Sequence, residues 1–144
     1  MTINLIAVGK LEKDFQKLFD EYAKRIFVFS KFNLIEIKEN TLKNLEVKKE
    51  KETLEILSKI PKNSTVFLLS IKGKNYSSEE FSKLITNDAN ITFVIGGSNG
   101  VIESYFENKI SFSKLTFPHQ LFRVILIEQI YRAFTIKNNL KYHK

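Results

Sequence analysis

The side chains that could do chemistry are few, and they gather in the second half of the chain. Cysteine is absent, and histidine occurs twice, at His119 and His143. That removes thiolate nucleophiles, disulfides and cysteine-based zinc sites. Two histidines do not make a His-rich metal centre, so no metal is expected. His143 stands in "KYHK", the last residues of the chain, beside Tyr142 and between Lys141 and Lys144. An imidazole can accept a proton near neutral pH, an aromatic face can stack on a nucleobase, and lysines can hold phosphate. Taken alone, the segment reads as a solvated basic tail.

Three further stretches suit ligand binding. In "FVIGGSNG" an apolar run breaks into Gly96, Gly97 and Gly100, where the missing Cβ lets backbone turn sharply or approach a ligand. The spacing is neither a dinucleotide-binding glycine pattern nor a P-loop, which leaves a tight strand–helix turn or a backbone-lined ligand loop. In "IKGKNYSSEE", Gly73 lies between Lys72 and Lys74, a turn carrying positive charge, and Ser77 with Glu80 has capping-box spacing. In "SFSKLTFPHQLFRVILIEQIYRAF", the polar run Ser111, Ser113, Lys114 and Thr116 is bracketed by Phe112 and Phe117, and its backbone amides could read the edge of a heterocycle. Further along, Glu128 and Arg132 have i,i+4 spacing for an ion pair, and His119 reads as a helix-start hydrogen-bonding residue.

Such groups need rigid mountings, and the hydropathy pattern supplies them. "INLIAV", "FNLIEIKE", "STVFLLSI" and "ITFVI" read as strands, with "ISFS" a brief fifth. "FQKLFDEYAKRI", the charged segment from Thr41 to Ile60 before Pro61, and "SSEEFSKLI" read as helices. A short helix is expected over Val101 to Phe106, and a long final helix begins near Pro118. Continuous apolar strands separated by helices indicate an α/β fold: a mostly parallel sheet with helices on both faces, as a single domain over residues 1–144. Ligands bind beyond the carboxyl ends of parallel strands, so chemistry is expected in the loops after Leu69, Ile95 and Phe112.

The final helix is apolar at Leu121, Phe122, Val124, Ile125, Leu126, Ile127 and Ile130, around most of its circumference. Burial between the sheet and a second subunit is expected. The net charge of +7 and pI near 9.5 favour a polyanionic partner, nucleic acid first. The apolar run Ile3 to Val8 is too short for a signal-peptide core or a bilayer span, so a cytoplasmic protein without a membrane partner is expected.

"IAVGK", "IKGKNYSSEEF", "FVIGGSNG" and "TFPHQLFRVILIEQIYRAF", with the terminal Tyr-His-Lys, together resemble the RlmH family of SPOUT-class methyltransferases acting on large-subunit (23S) ribosomal RNA. The resemblance runs along the whole chain. It implies a parallel α/β sheet with a C-terminal trefoil knot, and a homodimer that uses S-adenosylmethionine to methylate N3 of a pseudouridine. By position it implies cofactor contacts at Leu69, Gly96, Phe112, Ser113, Lys114, Leu115, Thr116 and Phe117. Within that frame His143 is the candidate base for the N3 proton and Tyr142 a stacking face. Lys72, Lys74, Arg123, Arg132, Lys141 and Lys144 are the candidate RNA contacts. A non-catalytic RNA- or nucleotide-binding homodimer on the ribosome is the competing expectation. The sequence departs from the family at "NNLKYHK", which lacks the Gly and Pro common before Tyr-His; there Asn139 can adopt left-handed geometry. It departs again at Ser70, where the family often carries an acid.

Overall fold

The computed structural model describes residues 1–144. Strands β1 (Thr2–Val8), β2 (Lys31–Ile37), β3 (Thr65–Asn75), β4 (Asn90–Ile95) and β5 (Lys109–Ser111) form a five-stranded sheet in the order β2-β1-β4-β3-β5, parallel throughout. Helices α1 (Lys13–Ile26), α2 (Leu45–Lys59), α3 (Ser78–Thr86) and α4 (His119–Lys137) connect and cover it. The two-residue period of a strand divides β1 between two cores. Ile3, Leu5 and Ala7 join the larger core, with Phe19 of α1, Phe81 of α3 and Leu126 and Ile130 of α4. Ile6 and Val8 join the smaller one, with Ile56 of α2, Val101 and Phe106. Each fully buried Ile or Leu contributes roughly 1.5–3 kcal/mol relative to exposure.

The expected elements are present, with boundaries moved by local chemistry. The second helix starts at Leu45 rather than Thr41, because Asn44 Oδ1 caps the amides of Glu46 (3.1 Å) and Val47 (3.2 Å). Ser77 and Glu80 form the reciprocal cap that their spacing suggests. Pro118 is the N-cap of α4, with ψ at 140°, rather than part of its first turn. The short helix expected over Val101 to Phe106 is a single 3-10 turn, Glu103–Tyr105. The brief fifth strand ends at Ser111, whose hydroxyl donates to Ser113 O (2.9 Å) and turns the chain away.

The third strand departs most. Leu69 and Lys74 both register with Ile110, so residues 70–73 form an irregularity in the pairing with β5, within a strand that continues to Asn75. Gly73 lies so close to β5 that a Cβ would sit 2.6 Å from the Ile110 backbone nitrogen. Only glycine passes there.

Helix α4 lies on the sheet between α1 and α3, which take up most of its apolar circumference within the chain. Ile127 is fully buried in this core, while Leu121 stays exposed and Ile125 half-buried. Beyond α4, Asn139 adopts φ 53°, and the Leu140 amide donates to Thr135 O (2.9 Å). Asn139 thus takes the left-handed geometry open to an asparagine.

Candidate active site

A cleft of about 300 Å³ opens at the carboxyl ends of β3, β4 and β5. It is lined by Leu69, Gly96, Phe112, Ser113, Leu115, Thr116 and Phe117, which three separate loops bring together. Lys114 is the exception. The Leu115 amide donates to Ser113 Oγ (2.9 Å), and the turn this makes leaves the Lys114 side chain exposed outside the cleft. Apolar walls with hydroxyls and free backbone edges suit a heterocyclic ligand with a polar tail.

Among the lining residues that sequence reasoning did not assign are Glu103 and His119, both titratable. Ser70 Oγ donates to Glu103 Oε1 (2.8 Å), so a carboxylate stands beside this serine. No local signal marks Glu103, since it comes from the crossover between β4 and β5. His119 is the first residue of α4, and its spacing suggests only a helix start.

The glycine loop is fastened from behind. A Cβ on Gly96 would meet Val101 Cγ1 at 2.7 Å, so the loop's own packing requires glycine there before any ligand does. Lys48 Nζ donates to Glu39 Oε1 (2.9 Å) and Asn99 Oδ1 (2.8 Å), and Ser98 Oγ donates to Glu39 Oε1 (2.8 Å). These bonds from Lys48 and Ser98 hold the Glu39 carboxyl below the usual carboxylate range. Thr53 Oγ1 accepts from the Ile102 amide (3.0 Å). Nothing in the spacing of α2 marks Lys48 or Thr53 as supports of a loop so far along the chain.

Arg123 corrects the RNA-contact expectation. Its side chain is 1% exposed and bonds Glu36 Oε2 (2.6 Å) and Gly9 O (3.0 Å). It ties the first turn of α4 to the ends of β1 and β2, and with it the exit of the 112–118 loop. A cation so enclosed cannot reach RNA. Arg132 is also engaged: Nη2 bonds Glu128 Oε1 (2.6 Å), the expected i,i+4 pair, and this contact raises its pKa further above the already high arginine value. Lys72, Lys74, Lys141 and Lys144 are exposed and available to phosphate.

The tail is docked rather than solvated. Arg132 Nη1 lies 3.1 Å from His143 Nδ1, and His143 Nε2 lies 2.7 Å from Glu79 Oε1. A guanidinium only donates, so Nδ1 is the acceptor and Nε2 carries the proton given to Glu79. Both ring nitrogens are therefore occupied, and the free lone pair expected of a general base is missing in this arrangement. The contact with His143 lowers the Glu79 pKa. Tyr142 donates to Glu128 Oε1 (3.0 Å). Burial first, then the neighbouring Tyr22 and Glu128, push its phenol well above its ordinary range. Its ring carries the Arg132 guanidinium at 4.9 Å and Tyr131 edge-on at 4.8 Å. None of these tail residues lines the cleft.

Residues 1–143 match the family described as "Predicted SPOUT methyltransferase". The chain is 62% identical over 144 residues to a Metamycoplasma arthritidis protein named ribosomal RNA large subunit methyltransferase H, with both chains covered in full. A Mycoplasma mobile protein of the same name is 62% identical over 144 residues, also with full coverage of both. A third so named, from Clostridium botulinum, is 47% identical over 159 aligned positions, again covering 100% of each chain. With its parallel sheet, its cleft at the strand ends and these full-length likenesses, the chain belongs to the SPOUT methyltransferase family.

Proposed function

We propose that this protein is an S-adenosylmethionine-dependent methyltransferase that modifies N3 of a pseudouridine in large-subunit ribosomal RNA, working as a cytoplasmic homodimer. The observation that carries the reading is the cleft, where Leu69, Gly96 and the 112–117 run converge from loops far apart in sequence. The residues present fit the cofactor. Leu69, Phe112 and Phe117 suit the faces of its purine, the backbone amides of the 112–117 run other than that of Leu115 its edge, and Glu103 its hydroxyls or ammonium. When bound, S-adenosylmethionine supplies an electrophilic methyl: the N3–CH3 bond forms, the S–CH3 bond breaks with its electron pair left on sulfur, and the N3 proton is released.

The chain's own work is to orient and to exclude water. Arg123 and the Lys48 cluster hold two of the cleft's three loops, the 112–118 run and the glycine loop, from opposite faces of the sheet. Tyr142 and His143 serve the acceptor, as a folded support rather than as a base, because both imidazole nitrogens are already bonded. The exposed lysines meet phosphate. Dimerisation is supported by Leu115 and Leu121, large apolar side chains exposed beside the cleft. Membership of the SPOUT family supports a C-terminal segment threaded as a trefoil knot.

Incubation with labelled cofactor and ribosomes lacking the modification, followed by nucleoside mass analysis, tests the reading. One methyl on a pseudouridine is expected. Ribosome binding without any label transfer would return the chain to a non-catalytic RNA-binding role.

A further inference from the structure

Phe112 and Phe117 each present to two spaces: the cofactor cleft, and a second hollow of about 190 Å³ next to it. The second space is below the roughly 300–1,000 Å³ of a pocket for a whole cofactor, and it is sized for a single ring. We propose that this hollow seats the target nucleobase, a pyrimidine swung out of its RNA stack with N3 turned toward the cofactor. The proposal rests on the methyltransferase reading above and adds where the acceptor lies and which side chain reads it.

The lining suits a nucleobase in three respects. Tyr76, Phe81, Phe112 and Phe117 supply aromatic walls, on which unstacked bases are commonly held. Gln129 supplies the polar reading group, and its amide orientation is determined by its neighbours. Its Nε2 lies 3.1 Å from Glu128 Oε2, a carboxylate that only accepts, and its Oε1 accepts from Ser78 Oγ at 2.8 Å. One amide hydrogen and one oxygen lone pair are left over, complementary to the C2=O and N1–H of a pseudouridine, which leaves N3 free to face the cofactor. At the rim Lys74 Nζ sits 5.1 Å from the Tyr76 ring centre and Lys72 is exposed, both open to phosphates of flanking nucleotides.

The tail ties this hollow to the rest of the site. Ser78 bonds Gln129, Gln129 bonds Glu128, and Glu128 holds Tyr142 and Arg132. Arg132 bonds His143, which bonds Glu79, the residue next to Ser78. The hydrogen bonds close a ring whose far side is the tail and whose near side is the polar wall of the hollow. Tyr142 has a guanidinium against its ring and its hydroxyl engaged, so the stacking surface comes from the hollow instead.

Gln129→Met keeps the volume and removes the amide. Measured on ribosomes lacking the modification, kcat/KM should fall about 100-fold, a loss typical of a site left with an unmatched polar edge. Cofactor affinity by calorimetry and the thermal midpoint should stay near wild type. Tyr76→Leu should lower kcat/KM about tenfold by removing one wall, and it decides the matter if Gln129→Met does not fold. Wild-type turnover by a folded Gln129→Met would overturn the seat alone. So would a variant whose dimer loosens while methylation per dimer is unchanged, since that assigns the hollow to a second copy of the chain. A wild-type protein that binds cofactor but methylates nothing would instead overturn the enzymatic reading, and this seat with it.

Discussion

The glycine loop and the C-terminal tail are both short irregular segments that serve one site, yet they are held in opposite ways. Residues 96–101 are fastened by close backbone packing and by a half-buried cluster centred on Lys48 of α2. Residues 139–144 are fastened by side chains at the surface: Arg132, Glu128 and Glu79 gripping Tyr142 and His143. Packing of the first kind is bistable and stiff, whereas half-exposed polar contacts open at low free-energy cost. A loop that must present backbone to a cofactor needs the first. A segment that must accommodate a folded RNA can use the second.

If that contrast is right, the largest effect should come from removing the tail. Deleting Tyr142, His143 and Lys144 should abolish detectable methylation, yet leave S-adenosylmethionine affinity within about threefold, a difference below ~1 kcal/mol. Loss of both activities would mean that the tail shapes the cofactor cleft as well. The loop should behave in reverse under Gly96→Val. The new side chain would collide with Val101, costing about 1–3 kcal/mol of stability and lowering cofactor affinity at least in step. Undiminished cofactor binding and an unchanged melting temperature would show the loop to be more pliant than its packing suggests.

Lys48→Met sharpens the comparison from behind the sheet. It leaves the Glu39 carboxylate without its cation, though Glu39 is half-exposed, so the loss should be about 1–2 kcal/mol by denaturant titration. Cofactor affinity should fall while ribosome binding does not. On the tail side, Lys141 and Lys144 are free cations. Replacing both should flatten log affinity for ribosomes against log salt by about 1–2 units. An unchanged slope would place the tail away from RNA.

The smallest expected effect is a pH response of the tail. Contact with His143 lowers the Glu79 pKa, so its contribution is fully present above the ordinary glutamate value of about 4.3 and is lost as pH falls through the lowered one. The Glu79 carboxyl resonance should therefore titrate below about pH 4.3, and His143→Ala should move that titration back up to the ordinary value. A Glu79 titration that His143→Ala leaves unchanged would show that this contact does not set it.

Much of this was legible in the chain itself. Strand and helix alternation, the Ser77–Glu80 cap and the Glu128–Arg132 pair follow from periodicity and short spacing. So does the choice of the loops after Leu69, Ile95 and Phe112. The left-handed Asn139 follows from the comparison of the tail with the family it resembles. Lys114 was misplaced because one hydrogen bond, from Leu115 to Ser113, decides which way the turn faces. Glu103 was invisible because its partner, Ser70, lies across the sheet.

The division has a physical reason. Sequence by itself determined the elements and the caps, since hydrophobic period and turn chemistry act over a few residues. The fate of the charges belongs to the tertiary structure, because desolvation and pairing depend on what packs nearby, however distant in the chain. Arg123 and Glu36, 87 residues apart, become a buried tie, whereas Lys141 stays in water. His143 likewise takes its proton arrangement from Arg132 on α4 and Glu79 on α3, and only the folded chain brings those two to the same imidazole.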